Sequence, residues 1–144
     1  MNPTLERFDF PRSAVRAFDH WVVLIRPIQS TPLSCIIAAR SDVLSLGALS
    51  SAAFAELPRV IAQYEATVRS LTHAAKFNYM ALMMVDPNPH FHAIPRYPAP
   101  VPIEGTDYPD LFYPRPIDPL HDLDVAAKTR EHWRQWLSTR WREE

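Results

Sequence analysis

The sequence predicts an α+β fold in which an antiparallel sheet is backed by one long amphipathic helix. Three observations carry this. Two runs of β-formers, Trp21-Val22-Val23-Leu24-Ile25 and Cys35-Ile36-Ile37-Ala38-Ala39, flank a loop rich in proline and hydroxyls. Apolar residues at Phe54, Leu57, Ile61, Tyr64, Val68 and Leu71 recur at spacings of three and four, the period of a helix with a single apolar stripe. Finally, the segment Asp86-Pro87-Asn88-Pro89-His90-Phe91-His92-Ala93-Ile94-Pro95-Arg96 alternates in character with the period-two rhythm of a strand.

With 144 residues, a single domain is the default, large enough to bury one ordinary core. Residues 1–19 mix charges and prolines with Phe8, Phe10 and Phe18, which predicts an irregular arm or a short strand pinned by aromatics. The runs at 21–25 and 35–39 are too continuous for strands with one wet face, so both faces should be buried. Joined by Arg26-Pro27-Ile28-Gln29-Ser30-Thr31-Pro32, they form an antiparallel pair. Ser50 and Ser51 supply an N-cap for the long helix, and Pro58 should kink or restart it. An apolar run over residues 79–85 predicts a strand across 76–85.

Seven prolines fall between residues 98 and 119, so this segment should wrap over the surface without regular structure, anchored by Tyr108, Leu111, Phe112 and Tyr113. A last helix over about 124–142 is signalled by Asp122 and Asp124 as caps and by Trp133, Trp136, Leu137 and Trp141 on one side. That stripe needs cover from the body of the domain or a second subunit.

Composition excludes several function classes. A net charge of -1 gives no basic footprint for a nucleic-acid polymer, although one phosphate needs only a few donors. Two glycines, Gly47 and Gly105, are too few for a P-loop or a dinucleotide fingerprint. The single cysteine, Cys35, rules out an intrachain disulfide and suits a reducing compartment. Charges at Glu6, Asp9 and Arg12 interrupt any apolar leader, and no run reaches the roughly 20 residues that span a bilayer. The expectation is a cytoplasmic protein without a membrane partner.

Chemistry concentrates at residues 86–96. On a regular strand His90 and His92 stand on one face, roughly 6.6 Å apart at their Cα atoms. Two neutral imidazoles so placed suit a phosphate group between them. With a reference pKa near 6.5, much of the imidazole is unprotonated at pH 7 and able to attack phosphorus, splitting one displacement into two. The pair is also compatible with satisfied structural histidines, or with a metal held together with Asp86, for which no fourth ligand at suitable spacing exists. Pro87, Pro89 and Pro95 share the other parity and leave only Phe91 and Ala93 as ladder donors on that edge.

The run His90-Phe91-His92-Ala93-Ile94-Pro95-Arg96 resembles the end of the histidine triad signature, in which alternating histidines precede two apolar residues and Pro-Arg. Asn88 stands where the first histidine of the signature falls. Upstream elements follow the family's order over roughly residues 8–97, about two-thirds of the chain. The resemblance implies a sheet of about five antiparallel strands with one long helix, within a single domain at 1–144. It also implies a nucleotide hydrolase or nucleotidyl transferase acting at the α-phosphate of a dinucleoside polyphosphate or nucleoside phosphoramidate, with a homodimer and neither metal nor cofactor.

In that reading His90 is the nucleophile, His92 bonds a phosphate oxygen or assists the leaving group, and Asn88 orients the site. Arg26, Gln29, Thr31 and Arg96 are the candidate substrate contacts. Arg26 replaces the family's ribose-binding Asn, and Leu33-Ser34 replaces a Gly-His pair. The alternative is a nucleotide-binding module with little or no turnover.

Overall fold

The structure, a computed structural model, describes residues 1–143. A short helix α1 (Pro3–Arg7) leads into β1 (Ala14–Ala17), β2 (Trp21–Ile25) and β3 (Cys35–Ala39). The long helix α2 (Ser51–Leu71) follows, then β4 (Lys76–Met80) and β5 (His90–Arg96). A hairpin of β6 (Val101–Ile103) and β7 (Thr106–Tyr108) and the helix α3 (Ala127–Thr139) complete the chain. The five-stranded sheet has the order β1-β2-β3-β5-β4, with every neighbouring pair antiparallel. The predicted fold class and strand number hold.

β2 and β3 are buried along their whole length, as their unbroken β-former runs require. One face, carrying Trp21, Val23, Cys35, Ile37 and Ala93, packs against Ala53, Val60, Tyr64 and Val68 of α2 and Trp133 and Leu137 of α3. Polar bonds fix the helix register on this face. The Tyr64 hydroxyl donates to the carbonyls of Leu33 (2.8 Å) and Ala93 (3.2 Å), and the Trp21 indole N–H donates to the carbonyl of Ala53 at 2.8 Å. Burial raises the Cys35 thiol well above its ordinary range, so it serves as a small core residue. The opposite face carries Val22, Leu24, Ile36 and Ala38, packed against Leu5 of α1 and against Phe8 and Phe10 just after it. The remainder of that face is left for the site.

Several elements differ from the reading of the sequence. The N-terminal arm contains a true helix, because Asn2 caps it by accepting from Leu5 N–H and Pro3 occupies its first turn. α2 runs unbroken through Pro58, whose side lies exposed, so water can satisfy the freed Phe54 carbonyl. Of the expected apolar stripe, Tyr64 and Val68 are buried and Leu57, Ile61 and Leu71 pack against the core, while Phe54 is 44% exposed; Ala53, Glu56, Val60, Gln63 and Thr67 widen the buried face.

The strand predicted over 76–85 stops at Met80, opposite His92; beyond it the chain turns, with Met83 at φ 44°. The proline-rich wrap does contain regular structure, since Glu104 and Gly105 at φ 50° and 83° make the tight turn of the β6–β7 hairpin. α3 is shorter than expected and begins at Ala127, where Ala126 gives no side-chain cap; Asp122 instead accepts from Asp124 N–H in the preceding turn. The body of the domain covers its tryptophan stripe, with Trp133 1% exposed and the Trp141 indole donating to Gln63.

Candidate functional site

β5 lies inside the sheet, between β3 and the edge strand β4. Its ladder with β3 runs from Ala38↔His90 to Cys35↔Ala93 and stops before Pro95, which has no N–H to give. Alternation places Phe91 and Ala93 in the core and His90 and His92 on the opposite face, where α1 ends. The two imidazole centroids are 5.1 Å apart, at an interplanar angle of 72°. Both rings contact Phe8 and line one cleft of about 400 Å³.

The hydrogen bonds assign a tautomer to each ring. His90 Nδ1 lies 2.7 Å from the main-chain carbonyl of Asn88. A carbonyl only accepts, so Nδ1 carries the proton, and the neutral ring presents its lone pair at Nε2. His92 Nδ1 lies 3.1 Å from Nε of Arg26. A guanidinium only donates, so this Nδ1 is bare, and the neutral ring carries its proton at Nε2. Burial lowers the His92 pKa to about 4, reinforced by the charge on Arg26 and by His90. Neither Nε2 has a hydrogen-bond partner among the described residues. The cleft thus presents one acceptor, able to act as a nucleophile, beside one donor.

Apolar groups make up most of the remaining wall: Phe8, Pro27, Ile28, Leu82, Met83, Met84, Val85, Pro119 and Leu120. Leu82, Met84, Val85 and Leu120 are more than half exposed. The apolar run at 79–85 therefore marks a cleft wall as well as the end of a strand, which hydropathy alone does not distinguish. At the rim Arg7 pairs with Asp86 at 3.0 Å. Phe8, the 82–85 loop and Leu120 were not singled out as site residues from the sequence. Their only local signal is apolar character, shared with every core position.

Asn88 reaches the site through its main chain. Its side chain, 1% exposed, points away: Oδ1 accepts from the Thr4 hydroxyl and N–H, while Nδ2 donates to the carbonyls of Asp42 and Val43. The sequence predicts that Asn88 orients the site; only its main-chain carbonyl meets His90, while its side chain is a clasp joining α1, the 42–43 turn and the segment before β5.

Gln29 and Thr31 are also corrected. Both are fully buried: Gln29 bridges the carbonyls of Arg26 and Ser34, and Thr31 donates to the carbonyl of Pro95. They close the β2–β3 loop and do not line the cleft. Arg96 lies elsewhere, in a buried bidentate pair with Asp110 (2.7 and 3.2 Å) and bonded to Asn78. It borders a separate depression beside β4 and touches no part of the histidine cleft. Arg26 does line the cleft, yet most of its donors are occupied by His92, Ile28, Ser30 and Pro119.

Among the described residues no three of His, Cys, Asp and Glu gather into a metal-ligand cluster, and no helix is long and apolar enough to cross a membrane. No protein-family model matches the sequence, nor does any curated protein. Solved structures do match. A histidine triad protein from Bradyrhizobium japonicum superposes with a TM-score of 0.70 at 18% identity, covering 97% of this chain and 96% of that one. A histidine triad protein from Sinorhizobium meliloti 1021 gives a TM-score of 0.70 at 18% identity, over 97% and 95%. A hypothetical histidine triad nucleotide-binding protein from Sulfolobus tokodaii strain7 gives 0.68 at 13%, over 95% and 88%. At such identities the likeness is one of fold.

Proposed function

We propose, taking as premise that the chain folds as a histidine triad domain, that it binds a nucleotide and cleaves or transfers it at the α-phosphate through a covalent nucleotidyl-histidine. The observation that carries this reading is the oriented pair in the cleft: an unshared lone pair on His90 Nε2 beside an N–H on His92 Nε2. In the first step His90 Nε2 attacks phosphorus, an N–P bond forms, and the bond from phosphorus to the leaving group breaks. The imidazole becomes cationic as this happens. Its Nδ1–H bond to the Asn88 carbonyl strengthens with that charge, which favours the transition state over the ground state.

His92 Nε2–H donates to a phosphate oxygen or to the departing atom. The leaving group takes a proton from solvent; water then attacks phosphorus and returns a proton to solvent, the N–P bond breaks, and the nucleoside monophosphate leaves with His90 restored. The test is release of AMP from an adenylated amine and from a dinucleoside polyphosphate. Wild type should release AMP, and His90→Ala should be slower by about 10³-fold or more. Equal release by both proteins, or none from wild type, rejects hydrolysis.

A second reading, a nucleotide-binding module with little turnover, draws on Asn88. Its side-chain donors and acceptors are taken up by the clasp, so nothing at that position relays a proton. AMP binding without any acid-quenched nucleotidyl adduct on His90 would favour it. In either reading the chain is expected to form a homodimer, which light scattering at the monomer mass would contradict.

A further inference from the structure

We propose that Arg26 is a positioning residue: its Nε–H, donated to His92 Nδ1, locks His92 into the single tautomer that offers Nε2–H to whatever occupies the cleft. The geometry carries this. Arg26 is the first residue after β2 and 5% exposed, and its remaining nitrogens are tied down on two other segments. Nη1 donates to the Ser30 hydroxyl (2.8 Å) and to the Ile28 carbonyl (3.3 Å), and Nη2 to the Pro119 carbonyl (2.9 Å). A planar fork anchored at three points has little freedom to turn Nε elsewhere, so the bond to His92 is held by the protein and needs no ligand to form.

The alternative tautomer places an N–H against an N–H, and so does imidazolium. Arg26 thus excludes two of the three states open to a histidine. Every charged or titratable group around His92 bears on this. Arg26 opposes protonation from the end of β2, and His90 opposes it from the same strand; Asp122, from the segment before α3, acts on Arg26 itself. Arg7 and Asp86 line the same cleft and pair with each other. Burial brings the Arg26 guanidinium down to about 10, which leaves it cationic at neutral pH.

The experiment reads the ring directly, by long-range ¹H–¹⁵N correlation on uniformly labelled protein. Wild type should show His92 protonated at Nε2 and bare at Nδ1, with a scalar coupling across the hydrogen bond to Arg26 Nε. Its protonation should come near pH 4. In Arg26→Met the ring should populate both tautomers and its midpoint should rise above that of wild type, staying below the free value because burial remains, while Arg26→Gln, which keeps an N–H but no charge, should retain more of the Nε2–H form. A wild-type ring protonated at Nδ1 overturns the proposal whether or not the variants fold. So does an unchanged tautomer in both variants.

The kinetic arm rests on the proposed function. With an adenylated substrate, Arg26→Met should lower kcat by about 10- to 100-fold with little change in KM. Because the spectra require no turnover, failure of the tautomer lock and failure of the hydrolase reading are separately visible.

Discussion

Asn88 performs two tasks with two parts of itself. Its carbonyl aims the His90 ring, and its amide stitches three segments that are far apart in the chain. Placing a histidine here should therefore not add a third ring to the His90–His92 pair. Asn88→His has to force a larger ring into a fully buried clasp and leaves Thr4 without its acceptor, so we expect a loss of about 2–3 kcal/mol in urea unfolding and no gain in AMP release. The parity that sets His90 beside His92 was legible in the sequence, because alternation is a local property of a strand. The partners of Asn88, Thr31 and Arg96 were not: Thr4, Pro95 and Asp110 lie 84, 64 and 14 residues away, and spacing carries no trace of them. Side chains read as substrate contacts are polar because the loops they close are buried.

Among the elements, the segment between β7 and α3 is tied to the sheet through the Asp110–Arg96 pair. Burial alone would raise the Asp110 carboxyl; the Arg96 guanidinium and the N–H groups of Tyr97 and Phe112 outweigh it and hold the carboxyl below the usual range. Asp110→Ala strands a guanidinium that is 4% exposed and removes the acceptor for three main-chain N–H groups. The expected cost is about 3–5 kcal/mol, with faster amide exchange through residues 110–123. The sequence located the paired buried strands and the tryptophan helix, whose periodicities are unambiguous. It overextended β4 through residue 85 because a cleft wall and a core strand draw on the same side chains.

On the scale of the molecule, the two faces of the sheet divide the labour. One packs against two helices and supplies the principal core; the other is covered by a single short helix and keeps a cleft. This division makes stability depend on acid. His92 is held near 4 when folded against 6.5 when free, so the unfolded chain binds more protons between those values, and stability present above pH 6.5 is lost as the pH falls toward 4. Asp110, also depressed, adds a further loss below its unfolded value near 3.8. Thermal midpoints recorded from pH 7.5 to 3 should fall in both windows, and His92→Ala should remove the upper one.

A main-chain oxygen cannot be mutated away. Since the aim of His90 depends on where the backbone of residue 88 sits, and that backbone is moored to Thr4, the orientation of the ring is tethered to α1. Proteolytic nicking or an affinity tag packed against residues 1–7 would thus misaim the His90 ring from a distance, with every residue of the cleft's polar pair still in place.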